Sequence, residues 1–189
     1  MKKQLGDIVF VSIITSGGTE PRAIELCVVR TCKEFKEVAR YDELIRPPYL
    51  IAESVTEETG ITDSMVRNAR TFDQQLPEIT DAFLGASKVV WDKESRGSGA
   101  LYAELVKIGC VCRFPWPRGS GDLALLGEPT NSTLPEVYTA LFQKEVSAPK
   151  RAAERVAMIR ECYVALVDRL YGNTESYTAF LDRLYGTTK

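Results

Sequence analysis

The sequence predicts an α/β fold built on one mixed sheet, with three antiparallel strands followed by parallel strands and with helices on its flanks. The first observation is the run over residues 8–14, which is rich in β-branched residues and leads into Ser16-Gly17-Gly18, as is typical of a buried strand that enters a sharp turn. The second is that residues 22–31 and 38–46 have the same character, which indicates an antiparallel meander. The third is that the remaining chain alternates helical periodicity with short apolar runs, as expected for strands separated by helices.

Length and composition favour one domain over residues 1–189. With 44% hydrophobic and 26% charged residues, the chain can bury a core of ordinary size. A net charge of −2 argues against a general polyanion binder and favours protein partners, although a local basic patch remains open. The chain shows no signal peptide and no apolar run of the ~18 residues that a membrane span needs. We therefore expect a soluble intracellular protein, cytoplasmic or in an organelle, without a membrane partner.

Cysteine and histidine usage narrow the chemistry further. The five cysteines are an odd number without the spacing of a small disulfide scaffold, so reduced thiols are expected. A zinc site from Cys110 and Cys112 with Cys27 and Cys32 is the disfavoured alternative, because these spacings are not those of known zinc sites. The chain contains no histidine.

The elements after the meander follow from apolar spacing and capping residues. Their predicted order is a loop over 51–61, a short helical turn over 62–66 capped by Thr62 or Asp63, a helix over 71–84, a strand over 88–91 and a helix over 98–108. Pro77 is expected in the first turn of the main part of its helix, where its missing N–H is tolerated.

The second half of the chain is predicted to continue the same alternation. Strands are expected over 110–112 and 123–126 around a loop over 114–121, then a helix capped by Ser132 or Thr133 with Pro135 in its first turn, the longest helix over 150–171 and a last helix over about 176–185. The 114–121 loop places aromatic residues between prolines, so it is a candidate partner-facing element, or equally a rigid surface loop.

The order of elements, and one motif, resemble a known family. The stretch GITDSMV over residues 60–66, followed by Phe72, is similar to a loop of the DnaQ-like (DEDDh) 3′–5′ exonucleases, which have an RNase H-like fold. Residues 24–29 resemble the second strand of that family, 88–105 its middle motif and the following helix, and 150–166 its last helix. The resemblance spans about residues 7–171, and its most specific part is the GITDSMV stretch.

The resemblance implies hydrolysis with Mg²⁺ or Mn²⁺, but the residues at the catalytic positions of the family differ here. The first Asp and Glu of the family fall on Ser12 and Ile14, the second-motif Asp on Arg96, the His on Lys150 and the last Asp on Arg155. Two-metal hydrolysis needs oxygen ligands for both ions and a base for the attacking water. Arginines in place of carboxylates would repel a divalent ion. We therefore predict no catalytic residues and no metal cofactor.

The leading functional hypothesis is a catalytically degenerate 3′–5′ exonuclease-like protein that is kept as a binding or scaffolding module, in a complex that handles nucleic acid. One alternative is an active metal-dependent 3′–5′ exonuclease with relocated carboxylates; the candidates are Asp92, Glu94, Asp122 and Glu154. The other alternative is a purely structural protein-interaction subunit.

A cationic pocket is the predicted binding site for nucleic acid or another anion. Its predicted residues are Thr15, Ser16, Gly17, Trp91, Arg96, Lys150 and Arg155. Guanidinium and ammonium groups in place of the metals would bind a phosphate or a carboxylate of a partner. In the competing interpretation, the three cations pair internally with Asp92, Glu94 or Glu154. Trp91 could stack on a base, but a tryptophan on a strand of this type is more often a core residue.

Overall fold

A computed structural model describes residues 7–91, 97–117, 119–122 and 133–171. The strands are β1 (Asp7–Thr15), β2 (Ala23–Thr31), β3 (Glu37–Leu44), β4 (Ala86–Trp91) and β5 (Gly119–Asp122). The helices are α1 (Glu53–Thr59), α2 (Asp63–Val66), α3 (Phe72–Phe83), α4 (Gly97–Lys107), α5 (Leu134–Phe142) and α6 (Ala152–Tyr171).

The described strands form a five-stranded sheet in the order β3-β2-β1-β4-β5, with β1 at its centre. The first three strands pair antiparallel as a meander, whereas β4 pairs parallel with β1 and β5 parallel with β4. This arrangement confirms the predicted α/β class, with its mixed sheet and flanking helices.

Alternation along β1 sends its side chains to two separate cores. Phe10 and Ile14 point to the face that α6 covers, where Phe10 meets the ring of Tyr163 edge-on at 5.4 Å between centroids. Val11 and Ile13 point to the opposite face and pack with residues of α3 and α4. The strand is buried on both faces, which explains its nearly continuous run of apolar residues.

Two predictions about the segment before β4 are wrong. The expected loop over 51–61 contains helix α1, which ends at Gly60 in the left-handed conformation (φ 75°). With so few apolar residues, this seven-residue helix lacks the periodic signal of a longer one. Pro77 lies inside α3 instead of in its first turn, because Thr71 starts the helix at Phe72 through a capping box with Gln74.

Two predictions around residue 110 are also wrong. No strand forms over 110–112: α4 ends at Lys107, a turn follows, and residues Val111–Arg113 form a short 3-10 helix. Cys110 N–H donates back to the carbonyl of Leu105 at 2.9 Å after Gly109 with φ 68°, which closes the helix instead of extending the chain. The expected loop over 114–121 includes β5 from residue 119.

Other predictions are confirmed or fall outside the described residues. Thr133 caps α5 with a capping box and with Pro at the start of the helix, and α6 covers most of the predicted 150–171 helix. The strand predicted over 123–126 and the helix predicted over 176–185 lie outside the described residues. Among the described helices, none is long and apolar enough to cross a membrane.

Candidate functional site

Ser12 lies in the middle of β1, on the face that α6 covers. It is completely buried and stands opposite Cys27 of β2. Within the described part of the chain, its Oγ has no hydrogen-bond partner. A buried hydroxyl without a partner loses its hydration without compensation, so Ser12 is a costly residue at this position.

Ile14 follows on the same face and stands directly opposite Glu25 of β2. The side chain of Glu25 is only 3% exposed, yet it is fully engaged. Its Oε1 accepts hydrogen bonds from Nε and Nη2 of Arg151 at 2.8 and 2.5 Å. Its Oε2 accepts from the backbone N–H of Ala152 at 2.7 Å. A buried carboxylate therefore lies beside Ile14, held by a guanidinium and by the first residue of α6.

The electrostatics of this pair suit a structural contact. The hydrogen bond to Glu25 raises the pKa of Arg151 despite the opposing effect of partial burial. The carboxylate also lies at the N-terminus of α6, where the helix dipole favours negative charge. On the neighbouring strand, burial and the charge of Glu25 raise the pKa of Asp42.

Lys150 and Glu154 lie at the entry to α6. The backbone N–H groups of Lys150 and Arg151 donate to Oε2 of Glu154 at 2.9 and 3.2 Å. Glu154 thus acts as a capping residue for the first turn. Lys150 itself is exposed. The predicted internal pairing of Lys150 with Glu154 involves only the backbone of Lys150.

Arg155 lies one turn further along α6, with a side chain only 15% exposed. Its Nε donates to the carbonyl of Pro149 at 3.2 Å, and its Nη2 donates to the carboxylate of Glu58 in α1 at 3.2 Å. Arg155 is therefore paired internally, but with a partner that sequence reasoning did not propose.

In the turn over Thr15, Ser16 and Gly17, the polar groups of Ser16 form hydrogen bonds with the backbone of the same chain. Ser16 N–H donates to the carbonyl of Arg22 at 2.8 Å, and its carbonyl accepts from Ala52 N–H at 2.8 Å. Ser16 Oγ accepts from Arg22 N–H at 3.1 Å. Gly17 adopts φ 72°, and a Cβ there would come within 2.9 Å of Val55 Cγ2. The absence of a side chain at Gly17 thus allows close packing against α1, and the amide of Ser16 is not open to a ligand.

Trp91 does not join this group. Val11 is its partner in the parallel pairing of β1 with β4, and its side chain is 3% exposed in the core cluster on the α3 and α4 face. It therefore points away from the face of Ser12 and Ile14. The interpretation of Trp91 as a core residue is the correct one.

The aromatic residues of the 114–121 segment also face inwards. Phe114 is 7% exposed and packs on Phe83 and Trp116, with ring centroids 4.9 and 4.8 Å apart. Trp116 Nε1 donates to the carbonyl of Val111 at 3.3 Å. Phe114 and Trp116 therefore pack within the chain, and the role of the segment in partner binding stays a prediction.

Four of the predicted site residues thus belong to one region, whereas Trp91 lies on the opposite face of the sheet. Ser12 and Ile14 share the α6 face of β1, and Lys150 and Arg155 flank the residues of α6 that reach Glu25. Arg96, Asp92 and Glu94 lie outside the described residues. Sequence reasoning missed Glu25 and Arg151; an acidic residue within an otherwise apolar strand was the available signal.

Among the residues that the structure describes in this region, the donor set does not fit a divalent metal pair. Mg²⁺ and Mn²⁺ need several oxygen ligands, commonly carboxylates. The residues here are a serine, an isoleucine and an arginine, and the adjacent carboxylate of Glu25 already accepts three hydrogen bonds. Over the described ranges, no three Cys, Asp or Glu side chains are grouped closely enough to hold a metal ion.

Comparisons with known proteins agree on one fold. A family model described as Exonuclease (RNase_T) matches residues 13–109, just over half of the chain. The structure of a 3′-exonuclease that recognises the histone mRNA stem-loop is similar, with a TM-score of 0.65 and 15% identity over 89% of this chain and 84% of that chain.

Two further solved structures are similar. A full-length 3′-exonuclease has a TM-score of 0.63 at 15% identity, over 90% of this chain and 84% of that one. Exonuclease I of E. coli, in complex with a dT13 oligonucleotide, has a TM-score of 0.68 at 16% identity, over 88% of this chain and 43% of that one. No curated protein sequence matches at a significant level. At these identities the structural similarity shows the fold alone.

Proposed function

Because the chain belongs to the exonuclease (RNase_T) family, we propose that it is a catalytically degenerate 3′–5′ exonuclease-like protein that serves as a binding or scaffolding module. The carrying observation is the Glu25–Arg151 pair beside Ile14. The described structure places the carboxylate of Glu25 next to Ile14. A guanidinium and the N-terminus of a helix bind this carboxylate, so it is not available to a metal.

The side chains around that pair support the same conclusion. The only ligand atom that the side chain of Ser12 could give a metal is its buried hydroxyl, and the side chain of Ile14 has none. Arg155 places a positive charge at the position where the family resemblance implies the last Asp. Two-metal hydrolysis depends on closely placed ligands, and these residues provide neither the charge nor the donors for it.

A nucleic-acid partner is the ligand class that the related structures favour. One of those proteins recognises the histone mRNA stem-loop, and another is in complex with a dT13 oligonucleotide. On this chain Lys150 is the exposed cation at the entry to α6, whereas Arg155 and Arg151 are engaged in ion pairs. Binding through Lys150 would be weak and salt-dependent. We propose a protein partner as the main contact, with nucleic acid as a local one.

An active enzyme with relocated carboxylates is the competing proposal. Glu154, one of its four candidates, is occupied as a cap of α6 by two backbone N–H groups. The side chains of the other three, Asp92, Glu94 and Asp122, lie outside the described residues. This proposal therefore lacks a supporting contact.

A single assay separates the alternatives. The full-length protein is incubated with 3′-labelled single-stranded DNA and RNA in Mg²⁺ or Mn²⁺, and shortening and binding are read from the same samples. We expect no shortening. If nucleic acid binds, Lys150→Glu weakens it about fivefold, whereas the exposed Lys107→Glu on α4 leaves it unchanged.

Other outcomes have defined meanings. Metal-dependent shortening that Asp92→Ala or Glu154→Ala abolishes would overturn the degenerate-enzyme proposal. Absence of both cleavage and binding would leave a scaffold that binds protein only, and would remove the nucleic-acid part of the proposal.

A further inference from the structure

A groove of about 600 Å³ lies on the α4 face of the sheet, and its lining belongs entirely to the described part of the chain. Its volume falls within the range of ligand sites, about 300–1,000 Å³. Strand β4 contributes Trp91, helix α4 contributes Gly99 and Tyr102, and the segment after the 3-10 helix contributes Trp116 and Pro117. We call it the tryptophan groove, because both tryptophans of the chain line it.

The aromatic surface of the tryptophan groove is held in place by contacts within the chain. Trp91 is 3% exposed and lies at the bottom. Trp116 is fixed twice, since its Nε1 donates to the carbonyl of Val111 at 3.3 Å and its ring lies 4.8 Å from that of Phe114. Tyr102 is 52% exposed, so the groove is open to solvent beside it. A surface that is formed before a ligand arrives lowers the cost of binding.

The lining of the tryptophan groove carries no charge. All of its residues are apolar, aromatic or small and neutral. Nucleic acids bind chiefly through cations that neutralise their phosphates, so this surface favours an uncharged ligand instead. The indole N–H of Trp91 can only donate, and within the described ranges its Nε1 has no hydrogen-bond partner. The ligand that complements this groove therefore combines apolar bulk with hydrogen-bond acceptors.

A proline-rich peptide segment has this chemistry. Each proline presents an apolar ring and a carbonyl acceptor, and it has no backbone N–H for which the groove would have to supply an acceptor. Such segments adopt the polyproline II conformation on their own, and they bind in aromatic-lined grooves of other domains. An extended segment can also cross a groove that is open at Tyr102, whereas a small molecule there would stay partly in water.

We propose that the tryptophan groove binds an uncharged, proline-rich segment of a partner protein, with proline rings against Trp116 and Tyr102. This inference rests on the proposed function only for the expectation of a protein partner. The groove lies on the opposite face of the sheet from Ser12 and Ile14. Peptide binding and nuclease activity are therefore separate readouts: cleavage would overturn the proposed function alone, and failure to bind the peptide would overturn this inference alone.

The experiment is a titration of the full-length protein with a short peptide of Pro-Pro-Leu repeats, blocked at both ends so that it carries no charge. Binding is read from tryptophan fluorescence, which reports on this surface because Trp91 and Trp116 are the two tryptophans of the chain. We expect a saturable change with a Kd below about 1 mM. Raising the salt concentration from about 50 to about 500 mM should leave it unchanged, since neither side is charged. A peptide with alanine in place of proline should bind at least about tenfold more weakly.

Two variants and a matched control locate the binding surface. Gly99→Glu places a charged side chain in the groove, and a Cβ at Gly99 meets open space, so the fold should tolerate it. We expect it to weaken binding about tenfold or more. Tyr102→Ala removes an aromatic contact and should weaken binding about fivefold. Tyr49→Ala removes a tyrosine of similar exposure, 58%, that does not line the groove, and it should bind the peptide as the native protein does.

Each other result would overturn the proposal. Absence of a saturable change in the native protein would show that the groove does not bind such a segment. Binding that survives Gly99→Glu would place the peptide elsewhere, and equal binding of the alanine peptide would remove the preference for proline. Salt-sensitive binding of a single-stranded oligonucleotide that Gly99→Glu weakens, without binding of the peptide, would assign the groove to nucleic acid.

Discussion

Two buried carboxylate–guanidinium pairs, one on each face of the sheet, hold helices to the start of β2. On the α6 face, Glu25 binds Arg151 and the N–H of Ala152. On the α4 face, Glu104 binds Nε and Nη2 of Arg22 at 2.9 and 2.7 Å, and its Oε1 accepts from Ala23 N–H at 2.9 Å. Both carboxylates are 3% exposed, and each combines one arginine with one backbone N–H.

The difference between the pairs lies in their surroundings. Arg22 donates to both oxygens of Glu104, and its side chain is 19% exposed. Arg151 donates to one oxygen of Glu25, and its side chain is 36% exposed. The Glu104 pair lies on the face that the site residues do not use. Because the same construction occurs there, the Glu25 pair needs no catalytic explanation. Within the described part of the chain, the carboxylate directly opposite Ile14 thus belongs to a structural pair.

The sharpest test of this comparison is to remove each arginine. Arg22→Met should lower the free energy of unfolding by about 3–5 kcal/mol, because it leaves a buried carboxylate without its charge partner. Arg151→Met should cost less, about 1–3 kcal/mol, since water reaches that pair more easily. Urea unfolding measures both losses in the free energy of unfolding, provided that its dependence on urea concentration keeps the same slope. A cost close to zero for Arg151→Met would show that Glu25 is not held for structural reasons.

A second test concerns the turn beside the candidate site. Gly17→Ala should cost about 2–4 kcal/mol, because it combines left-handed backbone with contacts to Val55 and Ala52 at 2.9 and 3.1 Å. Gly18→Ala, with φ 78° but nothing within 4 Å, should cost only about 1–2 kcal/mol. Equal losses in thermal unfolding would mean that α1 does not pack on this turn.

A third test compares two fully buried hydroxyls on the inner strands. Ser12→Ala should raise the free energy of unfolding by about 1 kcal/mol, because it removes a hydroxyl without a hydrogen-bond partner. Thr31→Val should lower it by about 1 kcal/mol, because Thr31 Oγ1 donates to the carbonyl of Ile8 at 3.3 Å. Denaturant titrations of both variants give the comparison. A loss for Ser12→Ala would indicate that its hydroxyl is used.

The smallest expected effect concerns thiol chemistry beneath the same face. Burial raises the pKa of Cys27 to about 12, whereas Cys112 is exposed. Alkylation at pH 8 should therefore modify Cys112 rapidly and leave Cys27 intact. Because the folded-state pKa lies above the unfolded value of about 8.5, the contribution of Cys27 to stability is full below that pH and is lost as pH rises towards 12. Peptide mapping after alkylation checks the predicted selectivity for Cys112, and rapid labelling of Cys27 would contradict it.

The sequence predicted the sheet well because its strands carry strong local signals. The β-branched run of β1 and the apolar residues of β2 could hardly form anything else, and Thr133 with Pro135 marked the start of α5. The sequence did not predict helix α1, because its seven residues show little of the apolar periodicity that indicates a helix. The position predicted for Pro77 within its helix was wrong, because the capping box upstream of it makes α3 begin earlier.

The candidate site was predicted less completely, because its contacts join residues distant in sequence. Local pattern placed Ser12 and Ile14 correctly on β1. It could not show that Glu25 lies across from Ile14, since that depends on the register between β1 and β2. The pairing of Arg155 with Glu58 likewise depends on a helix, α1, that the sequence did not reveal.

Metal binding tests the central claim most directly. Mn²⁺ is titrated calorimetrically into the native protein and into Glu25→Gln, which keeps an acceptor for Ala152 N–H while removing the charge. We expect no saturable binding in the millimolar range by either protein, because Glu25 is committed to Arg151. Binding of one or two ions per chain that Glu25→Gln abolishes would contradict the account and restore a metal-dependent enzyme.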